Sequence, residues 1–204
     1  MKKGLVIVGY SGHAFVCIDA WISAGGKVVA YCEQDMKQKN PYDLDYLGNE
    51  SIDLIKDRLW FVGIGNSKIR KTIVDRLVEQ GADMPSSILH TTAVISPSSK
   101  IGSGVLIAAG SVINPLVNIE DGCIVNTSAS IDHECLIGAY SHIAPNATLC
   151  GNVSVGTHSF VGAGSVIREG VEIGNNVIIG AGAVVVKNVP SNTTVVGNPI
   201  RKIK

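Results

Sequence analysis

The sequence predicts a chain in two parts, an α/β layer over residues 1–85 and a parallel β-helix over residues 86–204. Three observations carry this reading. Short apolar runs alternate with helix-patterned segments up to about residue 85, which implies a small parallel sheet covered by helices. From Ile95 a branched aliphatic residue recurs at every sixth position, sixteen times in succession, ending at Val185. Two residues before each of these stands a smaller side chain, so large and small groups alternate into a narrow tube.

In the first part, KGLVIVG is an apolar run ending in glycine, and HAFVCIDAWISAGG follows with helical spacing and a Gly25–Gly26 stop. KVVAYC reads as a second strand, DMKQKNPYDLDYLGNE as a polar, turn-rich connector, WFVGIG as a third strand and SKIRKTIVDRLVEQG as a second helix. Trp21 and Trp60 belong to the core of this part. In the second part, the residue after each ladder aliphatic favours Gly, Ala, Asn or Asp, as a tight corner requires. Three sides of six residues give 18 residues per coil. Nothing interrupts the period, so no excursion loop is expected inside the array.

Composition narrows the function. The 204 residues carry 17 basic and 17 acidic side chains, and this neutral balance removes the simplest electrostatic argument for nucleic acid or an anionic membrane. No apolar run approaches the roughly 18 residues that span a bilayer. MKKGLVIVGYSG is too short and too glycine-punctuated for a signal peptide. The five cysteines are odd in number and contain no C-x-x-C pair, which favours reduced thiols over disulfides or a zinc site. A cytoplasmic protein is expected.

Chemistry enters at SASIDHECLIGAYSHIA, residues 128–144. The ladder register points Ile131, Cys135, Ile137, Ser141 and Ile143 inward and leaves His133, Glu134 and His142 outside, where packing does not require them. A lone outer histidine reads as a solvated polar face; a D-H-E cluster with a second histidine nine residues later weighs against that. Nine residues is half a coil, so the two histidines lie on different faces of one chain. No histidine pair has the stacked spacing that one-chain metal ligation favours, and no metal is expected. In a trimer of such tubes, His133 of one copy could face His142 of the next across a cleft. Cys123 and Cys135 point inward, so no cysteine nucleophile is expected, and His90 and His158 read as surface or linker residues.

The stretch NTSASIDHECLIGAYSHIAPNATLCGNVSVG resembles the signature of bacterial hexapeptide-repeat sugar acetyltransferases. More narrowly, it is similar to the family containing UDP-N-acetylbacillosamine N-acetyltransferase and the sialic acid O-acetyltransferases. VGYSGHA, GIGNSKIRK, ILHTTAVISPSSKIG and VVGNPIRKIK extend the likeness over nearly the whole chain. The resemblance implies a Rossmann-like first domain, a left-handed β-helix, acetyl-CoA as co-substrate and a homotrimer with interfacial sites. It assigns His133 as general base, Glu134 as the carboxylate supporting it, and His142 as a contact to the acetyl thioester. Gly151 matches a backbone amide near the acetyl group, and Ala163 and Ala181 match backbone contacts along the pantetheine arm. Ser11, Gly12 and His13 match the substrate nucleotide loop, and Gly65 a second contact.

Glu33, just past the second strand, is placed to accept from a ribose hydroxyl or a uracil edge. The connector over residues 35–48 is longer than the family pattern, which bears on that assignment. Asn126 has two readings, an internal amide stack or a contact near the acceptor. The expected function is acetyl-CoA-dependent N-acetylation of the 4-amino group of a UDP-activated amino sugar of the UDP-4-amino-4,6-dideoxy-N-acetylglucosamine type, in surface-glycan biosynthesis. The alternatives are O-acetylation of sialic acid or another sugar hydroxyl, and a nucleotide-sugar-binding scaffold without turnover.

Overall fold

The computed structural model describes residues 4–204; the expected first strand starts at Lys3, which lies outside the described residues. The first part consists of β1 (Leu5–Val8), α1 (Gly12–Ser23), β2 (Val28–Cys32), β3 (Asp45–Tyr46), α2 (Ile52–Ile55), β4 (Leu59–Val62) and α3 (Ser67–Glu79). Its four strands are parallel in the order β3-β2-β1-β4. β1 is buried along its whole length and β2 nearly so, which is why LVIV and VVAYC read as unbroken apolar runs. The turn-rich connector holds the edge strand β3, where Asp45 and Tyr46 pair with Ala30 and Tyr31. Two residues carry no readable period, so this strand follows from the tertiary pairing. α3 starts where the Asn66 side chain accepts from the N–H groups of Lys68 and Ile69 at 3.0 and 3.1 Å. It buries a stripe of Arg70, Val74 and Leu77.

In the second part each strand from Ile88–Leu89 to Val166–Ile167 pairs in parallel with the strand one 18-residue coil later; the last coil is shorter, Ile178 pairing with Thr194, and Arg201–Lys202 pairs antiparallel with Val195 and Val196. Ile124 pairs with His142 and His142 with Phe160; Ser130 pairs with Thr148; Asn118 pairs with Leu136 and Leu136 with Ser154. Three flat faces result. Face I carries Leu106, Ile124, His142, Phe160 and Ile178 on its outside. The chain turns from it to face II, with Val112, Ser130, Thr148 and Val166, then to face III, with Asn118, Leu136, Ser154 and Glu172. From Ile107 to Val185 every ladder aliphatic is buried, and each fully enclosed one contributes roughly 1.5–3 kcal/mol. Ile95 and Ile101, at the first coil, are only partly covered.

The corners have their own rule. The third residue after each ladder aliphatic takes a left-handed conformation, from Gly104 through Gly182. Glycine and asparagine hold many of these positions at low cost, whereas Leu116, Glu134, Tyr140 and His158 do not belong to that class.

The α/β layer docks on the upper coils of face I. Leu106, Ala108 and Ile124 share one core with Leu5, Ile7, Ala14 and Ile18. Tyr140 joins the second core beneath β4 and α3. Lower on the same face Phe160 and Ile178 remain exposed, so a step is left where the layer ends.

Candidate active site

His133 and Glu134 stand on the corner between faces II and III. The Asp132 carboxylate accepts the His133 N–H at 2.8 Å and the Asn114 amide at 2.7 Å, which braces the corner against the coil above. Those two hydrogen bonds hold the Asp132 carboxyl below its ordinary range. Glu134, at φ 60°, brings Oε2 to 3.1 Å from His133 Nδ1. A carboxylate only accepts, so Nδ1 carries the ring proton and Nε2 is left as an acceptor. Both side chains are more than half exposed, 51% and 59%. Gly151 lies one coil on, and a Cβ there would meet His133 Cε1 at 2.5 Å. Glycine lets the imidazole lie against the backbone.

His13, Gly65, Asn126 and His142 converge where the α/β layer covers face I. The rings of His13 and His142 lie 6.0 Å apart, and Phe160 packs edge-on to His142 at 5.1 Å. Asn126 Oδ1 accepts the Thr127 N–H at 2.8 Å, which turns its amide nitrogen toward His142 Nε2 at 3.1 Å. With Nε2 accepting, the His142 proton sits on Nδ1. Burial, reinforced by the neighbouring His13 and Arg70, pushes His142 down to about 3. Burial and the Arg70 cation push His13 down to about 4. Both rings are therefore neutral at pH 7. His142 does point outward from the tube, as its register requires, but the first part covers it.

A cleft of about 520 Å³ opens below, between the start of α3 at Asn66–Lys68 and the surface of His142, His158, Phe160 and Ile178. His158 was expected to be a surface or linker residue. It lines this cleft instead, stacked on Tyr140 at 5.6 Å and 13°, with Nδ1 buried and without a hydrogen-bond partner among the described residues. His13 Nε2 is likewise buried without a partner among the described residues. Asn126 stands outside the tube, engaged with His142, which rules out the internal stack.

The remaining candidates fall around this junction. Ser11 and Gly12 are exposed at the turn from β1 into α1, and a Cβ at Gly12 would meet nothing within 4 Å. Glu33 Oε1 accepts the Tyr10 N–H at 2.9 Å, so one carboxylate oxygen already braces the turn. The long connector folds back over the same turn, with the Tyr10 hydroxyl donating to Asn40 at 2.7 Å and the Tyr42 hydroxyl to Asp19 at 2.7 Å. Ala163 and Ala181 are exposed on the corner between faces I and II, stacked one coil apart, with the Gly182 N–H donating to the Ala163 carbonyl at 2.8 Å.

The expected residues thus form two groups. His133, Glu134 and Gly151 occupy the corner opposite face I, and the others lie on face I or its nearer edges. His133 and His142 do not share a face within one chain. Among the described residues, no group of three or more His, Cys, Asp or Glu is placed to hold a metal ion, and no helix is long and apolar enough to cross a membrane.

Residues 4–77 match the sequence family described as the PglD N-terminal domain, and residues 152–187 match bacterial transferase hexapeptide (six repeats). Among solved structures, the acetyltransferase domain of PglB from Neisseria gonorrhoeae FA1090 is 31% identical with a TM-score of 0.91, covering 99% of this chain and 100% of that one. The chain belongs to the hexapeptide-repeat sugar acetyltransferases. The same PglB domain in complex with acetyl coenzyme A gives 31% identity and a TM-score of 0.90, with 100% of both chains covered. A histidine mutant of perosamine N-acetyltransferase from Caulobacter crescentus, in complex with CoA and GDP-perosamine, is 33% identical with a TM-score of 0.93, covering 98% and 97%. As a hexapeptide-repeat sugar acetyltransferase, the chain combines a Rossmann-like domain with a left-handed parallel β-helix and is an acyltransferase.

Proposed function

We propose that this acetyltransferase moves the acetyl group of acetyl-CoA to the 4-amino group of a nucleotide-activated amino sugar. The first candidate acceptor is of the UDP-4-amino-4,6-dideoxy-N-acetylglucosamine type, made and used in the cytoplasm for surface glycans. The observation that carries the reading is the half-exposed His133–Glu134 pair, a base with its tautomer fixed on a corner that packing leaves free. The relatives' complexes with acetyl coenzyme A and with CoA and GDP-perosamine support the donor and the acceptor class.

In this mechanism the neutral sugar amine attacks the thioester carbonyl while His133 Nε2 takes its proton. Glu134 holds Nδ1–H and stabilises the imidazolium that forms. The tetrahedral oxyanion is stabilised by the Gly151 N–H. Collapse breaks the C–S bond, and the departing thiolate receives the proton from His133, giving CoA thiol and the amide. His142 lies beside the acetyl group, and Ala163 and Ala181 offer main-chain atoms to the pantetheine arm. Ser11, Gly12, His13 and Gly65 receive the nucleotide, with the free oxygen of Glu33 turned to its ribose or base. Asn126, by holding His142, acts at the acceptor end.

His133 and His142 stand on different faces of one chain, so the reading includes a homotrimer in which each site is shared. Exposed Val94 and Val166 on face II, at 63% and 40%, supply apolar surface for that packing.

The test is release of free thiol from acetyl-CoA with UDP-4-amino, GDP-4-amino and dTDP-4-amino sugars and with sialic acid as acceptors. A 4-amino nucleotide sugar is expected to turn over, and His133→Ala to lose roughly 10²–10⁴ in rate. Turnover with sialic acid alone, or an undiminished mutant, would overturn the assignment.

A further inference from the structure

The corner that carries Glu134 runs down the tube as Leu116, Glu134, Asn152 and Gly170, one residue per coil, all left-handed at φ 63°, 60°, 56° and 69°. Asparagine and glycine hold this conformation at low cost, whereas leucine and glutamate do not. The two costly residues therefore stand on neighbouring coils, at the level of the proposed base and one step above it. Glu134 brings its carboxylate to His133 there. Leu116 has no comparable partner in the core: it is 59% exposed, so burial does not offset the strain. Backbone strain of this kind gathers at sites that use it.

Leu116 is also held firmly. Its N–H donates to Ser98 Oγ at 3.2 Å on the coil above, and the Pro115 carbonyl accepts the Glu134 N–H at 3.0 Å on the coil below. Stacked coils lie about 4.8 Å apart, which makes Leu116 an apolar lip one coil from the His133–Glu134 pair. The order of the coils says which ligand meets that lip. In the function proposed above, Gly151, Ala163 and Ala181 hold the donor, and all three come after His133. The acceptor is held by the α/β layer, which shares its core with Ile88, Leu106 and Ile124, all before His133. Copies in a closed ring of three lie side by side at equal height, so the same order applies across a shared site. The acceptor thus reaches the base from the side of Leu116.

We propose that Leu116 is a specificity-determining residue for acetyl transfer, its side chain packing on the methyl group of a 6-deoxy acceptor. In a 4-amino-4,6-dideoxy sugar only three bonds separate the methyl carbon from the amine nitrogen. An amine within reach of His133 Nε2 therefore brings its methyl group within one coil's height of the base. A sugar with a hydroxymethyl group at that carbon turns an oxygen toward leucine, which offers it no hydrogen bond. This inference rests on the function proposed above.

The experiment uses the full chain and compares kcat/KM for two acceptors, the 4-amino-4,6-dideoxy sugar and its 6-hydroxy counterpart, each on the nucleotide that wild type turns over. Wild type is expected to favour the 6-deoxy acceptor roughly tenfold or more, the scale on which an apolar surface separates such pairs. Leu116→Asn places at this corner the residue type that Asn152 holds one coil beyond Glu134. It is expected to fold, to sediment as wild type does, and to bring the ratio within about threefold of unity, with the loss falling on the 6-deoxy acceptor. A merely structural role would lower both rates together and leave the ratio where it was. Leu116→Gly, matching Gly170, supplies the same reading should Leu116→Asn not fold. A folded variant that keeps the wild-type ratio overturns the proposal. So does a variant that sediments as a smaller species, since Leu116 would then be a contact between subunits. An active wild type without preference sinks this inference alone, whereas a wild type inactive on every 4-amino acceptor sinks the proposed function and this inference with it.

Discussion

Glu134 occupies a backbone conformation that asparagine would hold at lower cost. At φ 60° a side chain with a Cβ is disfavoured by about 1 kcal/mol, and the corresponding corners at Asn146, Asn152 and Asn176 use the residue type that tolerates it. The strain has a consequence on the surface and none in the core: it aims a carboxylate at His133 Nδ1. Glu134→Asn is therefore expected to leave stability unchanged or raise it by a few tenths of a kcal/mol, while turnover falls at least about tenfold. Chemical denaturation and kcat measured on the same preparation separate the two effects. A variant that loses stability and retains turnover would mean that the corner, and not the base, needs this glutamate. His133 itself required no such cost, because its ring lies over Gly151 where no Cβ intrudes.

At the scale of elements, the contact of α1 with face I makes a pH-sensitive seam. His13 and His142 face each other there, pushed by burial to about 4 and about 3, against 6.5 for an exposed histidine. His158 is displaced in the same direction. Their depressed values mean that the unfolded chain binds protons first as pH falls below 6.5. Stability is then fully present above about pH 7 and declines toward pH 4, by up to roughly 1.4 kcal/mol per pH unit for each of His13 and His142. Arg70 opposes protonation of His13 and His142, while at His158 burial is joined by Lys71, then Arg70 and Lys68, and Asp75 acts the other way. Melting temperatures from pH 8 to pH 4.5 should stay level and then drop, and His142→Gln should lessen the slope. A level profile throughout would contradict the neutral, buried assignment. This seam also marks the limit of what spacing reveals. The six-residue period placed His133, Glu134 and His142 outside the tube, because register within a repeat is local. It could not place His13 over His142, since they are far apart in sequence and meet only through layer packing. Arg70 did leave a trace, standing four and seven residues before Val74 and Leu77 on the buried stripe of α3, but a lone arginine in such a stripe does not say that it will donate to the backbone carbonyls of Ile64, Gly65, Gly122 and Tyr140. β3 left none.

The whole molecule poses the remaining problem, because the three-sided coil keeps the proposed base, His133, away from the other proposed site residues. His133 is on the corner where faces II and III meet, and His142 is on face I, under the α/β layer. No side-chain motion carries an imidazole around a tube whose interior is packed with buried aliphatics. A site that needs both histidines must therefore be assembled from two copies, and a closed ring of three gives every copy one neighbour on each side. Complementation follows from this arithmetic. His133→Ala and His142→Ala should each be inactive alone as homotrimers. When the two are unfolded together in equal amounts and refolded, a site is intact if one copy supplies His133 and its neighbour supplies His142. Random assembly makes that true at about one site in four, so about a quarter of wild-type turnover should return. Simple mixing without exchange of subunits should restore nothing, which controls for residual activity. If refolding at equal ratio leaves the mixture as inactive as its parents, while sedimentation shows that mixed trimers have formed, the two histidines do not serve one shared site, and a catalytic group within a single chain must be sought instead.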